Sequence, residues 1–269
     1  MVLQRVITAL CLIPFLWVSL AFNMRPWPWF TLVMLVWSLC ALFEFYQITR
    51  SSGTARPFTV TGMLLALLII IHPHFNNPNL LPLLLTLAVV VPLMLGLAMK
   101  DRSAIFARWA WTLAGVMYLG WLTSYYVSLS LLEMGTAWVM MALMSTFASD
   151  ISAFFVGRAI GRHKLAPSIS PHKTWEGALA GLAGAVTVGL LVSWLMELPL
   201  RTYEAVLLAL AVSILGQAGD LVESLFKRNT GVKDASHVLP GHGGFLDRID
   251  SVVFAGLVVY YYVILISPL

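Results

Sequence analysis

The sequence predicts an all-α, polytopic bundle of membrane-spanning helices, and three observations carry that prediction. Hydrophobic residues make up 60% of the 269 positions and charged residues only 10%, against roughly 25% charged in an ordinary soluble domain. Apolar residues run all the way round segments such as 31–43, 63–71 and 80–97, as in a helix solvated by lipid rather than one with a single core-facing stripe. These runs lack the inside-outside alternation of barrel strands, so helices must satisfy the backbone inside hydrocarbon. A soluble enzyme is excluded.

Proline, glycine and charge punctuate the chain into about nine crossings of about 20 residues each. The first, 6–22, follows Arg5 in the manner of a signal peptide. It lacks a small-residue cleavage site and precedes further spans, so it is expected to be retained. The second and third, 29–48 and 58–71, differ in length, the third being short. The fourth is 80–99, and the fifth, 107–122, runs into an amphipathic stretch. The sixth is 137–159. The seventh, 175–196, has a good start signal: Ser170 or Thr174 as cap, Pro171 in the turn and Glu176 in the first helical turn. The eighth, 203–226, and the ninth, 251–266, flank the most polar connection of the chain.

Basic residues test the count, because Lys and Arg accumulate on the cytoplasmic connections of a correctly read topology. Fourteen of the sixteen fall on alternate connections: Arg5, Arg50, Arg56, Lys100, Arg102, Arg108, Arg158, Arg162, Lys164, Lys173, Lys227, Arg228, Lys233 and Arg248. Only Arg25 and Arg201 lie opposite. The split supports an odd count, a cytoplasmic N-terminus and cytoplasmic loops at 160–174 and 227–249. The formal charge of +4 rings one membrane face, which suits anionic lipid headgroups and not nucleic acid. Cys11 and Cys40 sit in apolar runs and read as small hydrophobes rather than a disulfide or metal pair. The organisation expected is a scaffold over 1–136 and a catalytic region over 137–269.

Nine of the twenty-eight charged residues lie between Asp220 and Asp250, and an ionisable group at a membrane span is a functional candidate by default. Asp220 and Glu223 share a helix face by i, i+3 spacing, and Asp247 and Asp250 repeat it. Four such carboxylates make a hard oxygen site suited to Mg²⁺, with Mn²⁺ an alternative. The competing account pairs them with Lys227, Arg228, Lys233 and Arg248 as a structural ion network. Between the pairs lies Leu239, Pro240, Gly241, His242, Gly243, Gly244, whose glycines let successive amides point at an anion. Flanked by Lys233 and Arg248, it reads as a triphosphate cradle, with His242 as phosphate ligand or proton carrier. Lys173, placed before a helix N-terminus, suits an anionic ligand there. Asp150 lies within the sixth run. Phosphate-binding and dinucleotide fingerprints are absent from the sequence. The small residues Gly157, Gly161, Gly177 and Gly181 predict close helix packing, within one chain or in a homodimer.

The residues Ser224, Phe226, Lys227, Arg228, Lys233, Asp234, Ser236, Leu239, Pro240, His242, Gly243, Gly244, Phe245, Asp247, Arg248, Ile249 and Asp250 resemble the signature of the phosphatidate cytidylyltransferases. A second element, Ser170, Pro171, Lys173, Thr174, Glu176 and Gly177, and the preceding Lys164, Leu165 and Pro167, agree with it. The resemblance implies transfer of the cytidylyl group of CTP to phosphatidic acid, giving CDP-diacylglycerol and pyrophosphate with Mg²⁺. It implies Asp220, Glu223, Asp247 and Asp250 as metal ligands, a second cation being compatible with four carboxylates. Asp220, Lys227, Asp247 and Arg248 would be catalytic. Ser170, Lys173, Thr174, Arg228, Lys233, His242, Gly243 and Gly244 would bind substrate. The short, loop-poor chain points to a bacterial inner membrane, and a site at the cytoplasmic ends of the last two spans would take CTP from the cytoplasm and phosphatidic acid from the lipid. A CTP-dependent lipid-alcohol kinase is the chemical neighbour. An ion-coupled transporter lacks support, because the charge lies at one face and no inverted repeat is visible.

Overall fold

A computed structural model of the chain describes residues 28–53, 55–100, 102, 104–232, 236 and 244–266. Among them the helices are, in order, α1 Trp29–Ser51, α2 Thr59–Ile71, α3 Leu80–Leu97, α4 over 105–130, α5 Gly135–Ile160, α6 Trp175–Leu195, α7 Thr202–Asn229 and α8 Leu246–Leu265. Each overlaps one predicted run from the second to the ninth, while the first run, 6–22, lies outside the described residues. Six, namely α1, α3, α5, α6, α7 and α8, are long and apolar enough to cross a membrane, and α2 is shorter. Val60, Phe106, Leu179, Trp194, Leu207 and Leu265 stand between 62% and 76% exposed. Such faces are costly in water and at home in hydrocarbon.

Two departures from the sequence reading are informative. The fifth run is longer than 107–122: Ile105–Gly115, a π turn at Val116–Trp121 and Leu122–Ser130 follow without a break. A π turn misaligns the backbone ladder, and here the buried Ser38 hydroxyl donates to the Leu119 carbonyl at 2.6 Å. The 160–174 connection also contains a hairpin, β1 Lys164–Ala166 antiparallel to β2 Ser170–Thr174, with Lys164 opposite Thr174 and Ala166 opposite Ser170. Strands this short carry no readable alternation. Local bonds hold them, from Ile169 N–H to the Ala166 carbonyl at 3.2 Å and from Trp175 N–H to the His163 carbonyl at 2.9 Å.

The chain divides into two compact units. One comprises Met1–Leu131 and Asn229–Ile249, the other Leu132–Arg228 and Asp250–Leu269. The core of the first is built by Leu65, Ile69, Leu84, Ala88 and Val116. Tyr46 is buried beside it, its hydroxyl donating to the Thr112 carbonyl at 2.8 Å, in space left by Gly62 and Gly115. At one end of this unit the Phe58 amide donates to Thr112 Oγ1 at 2.8 Å, and Arg108 Nε donates to the Arg56 carbonyl at 2.7 Å. The Arg108 guanidinium lies over the Phe58 ring, 4.8 Å from its centroid.

In the second unit α5 and α6 pack backbone to backbone. A Cβ on Gly177 would stand 2.8 Å from the Ala153 carbonyl oxygen and 3.1 Å from Gly157 Cα, so the small-residue faces do serve close packing within this chain. Ser149 and Ser213 share a buried hydrogen bond of 2.7 Å, and Gln217 Nε2 donates to the Ala178 carbonyl at 3.2 Å. These polar ties join α5, α6 and α7 where hydrophobic attraction between helices is weak.

Candidate active site

Glycine also sets the approach of α7 to α8. A Cβ on Gly219 would lie 2.5 Å from both the Asp250 carbonyl oxygen and the Phe254 ring. The next residue is Asp220, so this contact brings the carboxylates of the two helices together. Carboxylate oxygens of Asp220, Glu223 and Asp250 lie within 4.8 Å of one another. Glu223 and Asp250 are buried, whereas the Asp220 side chain is 35% exposed. Asp150, on α5, lies within electrostatic reach of Asp250.

Two lysines partly balance this charge. Lys173 Nζ is 2.7 Å from Asp220 Oδ2, and Lys227 Nζ is 3.1 Å from Glu223 Oε2, one helical turn away. The sequence reading placed Lys227 beside these carboxylates but gave Lys173 to an anionic ligand. Strand β2 brings it to Asp220, a tertiary contact that spacing does not encode. Asp220 Oδ1 also accepts from Ser224 Oγ at 3.4 Å. Three hard oxygen donors with two ammonium groups leave a net negative pocket, and its donor chemistry fits a divalent cation.

The other expected site residues fall in distinct places. Asp247 Oδ2 accepts from the Gly244 N–H at 2.8 Å, across the start of α8. Arg248 lies in the same first turn. Arg228 Nε donates to the Ile169 carbonyl at 3.2 Å and so fastens the hairpin turn. Ser170 opens β2. Thr174 ends it and caps α6, its Oγ1 accepting from the Gly177 N–H at 3.2 Å. Lys233, His242 and Gly243 lie outside the described residues.

Thr174→Ala removes this cap and is expected to cost about 1 kcal/mol, read as a lower midpoint of thermal unfolding in detergent.

Two contacts escaped the sequence reading. Glu176 binds back over the hairpin, its Oε1 2.6 Å from His163 Nδ1, with the His163 amide donating to both carboxylate oxygens at 3.2 Å. More consequential is Glu44, 7% exposed on α1. Its Oε1 accepts from Ser236 Oγ at 2.6 Å and its Oε2 from the Leu246 N–H at 2.9 Å. The signal was present, since Glu44 is the one acidic residue in the first hundred and stands in an apolar run.

Comparison with known proteins shows the family. A model of the cytidylyltransferase family matches residues 3–266. The phosphatidate cytidylyltransferase of Synechocystis sp. is 33% identical, over 98% of this chain and 97% of its own length. That of Bacillus subtilis is 30% identical, over 88% of this chain and 90% of its own. That of Brucella melitensis is 46% identical over 56% of each.

Proposed function

Because the chain belongs to the cytidylyltransferase family, we propose that it transfers the cytidylyl group of CTP to phosphatidic acid, releasing pyrophosphate and forming CDP-diacylglycerol. The observation that carries the reading is the convergence of Asp220, Glu223 and Asp250 in a chain otherwise built for lipid. Nine crossings with a cytoplasmic N-terminus, in a bacterial inner membrane, would put this cluster where CTP is available.

Asp220, Glu223 and Asp250 would hold Mg²⁺, or Mn²⁺ in its place, with Asp247 one turn earlier on α8 as a further ligand. The bound ion supplies charge neutralisation between two phosphate-bearing substrates and a template for their alignment. The nucleophile needs no strong base from the protein, because the phosphate of phosphatidic acid is already an oxyanion at neutral pH. One of its oxygens bonds to the α-phosphorus of CTP as the bond to the β-phosphate oxygen breaks. Charge moves onto the departing pyrophosphate, which Lys227, Arg228, Lys233 and Arg248 would stabilise. Lys173 would hold Asp220 in place and meet a phosphate when substrate enters. Ser170, Thr174, His242, Gly243 and Gly244 would line the nucleotide side.

The test is pyrophosphate release by purified protein in detergent or lipid, with the lipid product identified by mass. Turnover is expected only with CTP, phosphatidic acid and Mg²⁺ together, and chelation by EDTA should abolish it. Turnover with a lipid alcohol in place of phosphatidic acid would establish the kinase instead. Mass measurement of the detergent complex distinguishes monomer from homodimer.

A further inference from the structure

Glu44 has a role that packing alone does not explain. A carboxylate inside an apolar helix costs several kcal/mol unless it is paired or hydrogen-bonded, and a Leu or Met would fill the same volume without that cost. What Glu44 has in exchange is directional. One oxygen takes the Ser236 hydroxyl and the other the Leu246 amide, the first N–H of α8. That amide is one of the donors a helix start leaves without a partner of its own, at the positive end of the helix dipole. The carboxylate also lies against Gly244, where an added Cβ would stand 2.9 Å from the carboxyl carbon. Two turns earlier on α1, Trp37 Nε1 donates to the Phe245 carbonyl at 3.2 Å, and the Trp37 and Phe245 rings meet edge-on at 6.0 Å. Trp37 and Glu44 are seven residues apart and therefore share a helix face. Residues 236 and 244–246 are thus gripped at four points by one face of α1.

We propose that Glu44, seconded by Trp37, is a positioning residue for the cytidylyl-transfer site: it fixes the entry to α8 so that Asp247 and Arg248, in the first turn, are presented in register for CTP. The inference rests on the cytidylyltransferase reading of that turn. Glu44 touches no reacting atom and acts through the Leu246 amide and the Ser236 hydroxyl. Both partners are donors, so two acceptor oxygens are required. Glutamine offers one acceptor and turns an NH₂ toward the second donor. Alanine offers none.

The experiment compares wild type, Glu44→Gln, Glu44→Ala and Ser236→Ala in the CTP and phosphatidate assay. Hydrogen exchange over 236–246 is followed in parallel without substrate. Glu44→Ala is expected to raise the KM for CTP and lower kcat, with a combined loss of roughly 10–100-fold, the range seen when a partner that orients a site residue is removed. Glu44→Gln should fall between it and wild type, with Ser236→Ala the mildest. Exchange at Leu246 should quicken in the same order while that at the buried Leu84 and Ala88 of α3 is unchanged. A smaller folded fraction would lower apparent kcat and leave KM alone, so the rise in KM separates positioning from misfolding. Wild-type KM for CTP in both Glu44 variants overturns the proposal, as does unaltered exchange at Leu246. Wild type inactive with CTP and phosphatidate overturns the cytidylyl reading itself, a result distinct from either.

Discussion

Asp220→Ala is expected to lower kcat by about 10³-fold or more while the protein still purifies as a folded membrane protein. Asp220 is the most exposed of the three clustered carboxylates, at 35%, so its removal leaves no large cavity. The loss falls on charge. Lys173, 2.7 Å away, is left without that counterion, and the cluster keeps only Glu223 and Asp250, with Glu223 already facing Lys227. Such a site should need far more Mg²⁺ for whatever activity it retains. Asp220→Asn preserves shape and the contact with Ser224 but not the charge, and it should lie close to alanine. Near-wild-type turnover in either variant, measured as pyrophosphate release across a Mg²⁺ titration, would remove Asp220 from the metal site.

The second large effect is structural and lies at the seam of α5 and α6. Gly177→Leu has no low-energy solution, because a Cβ already meets backbone on the opposite helix at 2.8 Å and backbone cannot rotate aside as a side chain can. Overpacking in a core typically costs 1–3 kcal/mol. A clash between two backbones should exceed that and separate the helices. The seam also holds Lys173 near Asp220 through β2, since Thr174 caps α6 directly beside Gly177. The expected outcome is loss of monodisperse protein on size exclusion in detergent, or a sharply lower unfolding midpoint, with activity lost in proportion. Gly177→Ala should show the same effect more weakly. Full thermal stability of the leucine variant would show that the seam is not closely packed.

The helices were legible because lipid imposes a strong rule on composition, and a run such as 80–97 admits no other reading. Asp220 and Glu223 were legible as a pair because i, i+3 spacing is a property of one helix. Asp250 was placed with them only through the resemblance and the four-carboxylate argument. The element that brings it there, Gly219, carries no signal of its own among nineteen glycines. The hairpin at 164–174 was invisible because three- and five-residue strands have no period to detect. The π turn was invisible because Val116–Trp121 is as apolar as any α-helical segment, and the compensating hydroxyl, Ser38, lies 81 residues away. Lys173 is unusual before a helix start. Its contact with Asp220 is not legible in the sequence, because an ion pair across 47 residues depends on the fold and not on spacing. Glu44 is a solitary carboxylate in an apolar run, a rarer event than the cluster at 220–250, and its partners lie too far along the chain for spacing to name them.

The bonds from Glu44 also bear on the order of biosynthesis. Its two hydrogen-bond partners lie 192 and 202 residues further along the chain, and the unit it belongs to is completed only by Asn229–Ile249. At about 5–20 residues per second, roughly 10–40 s pass between translation of Glu44 and translation of Leu246. During that interval the Glu44 carboxylate on α1 is unmatched by those donors, a costly state for an ionisable group in a membrane-spanning helix. The arrival of Ser236 and Leu246 relieves that cost. Nearly the whole chain must therefore be made before α1 gains its final partners.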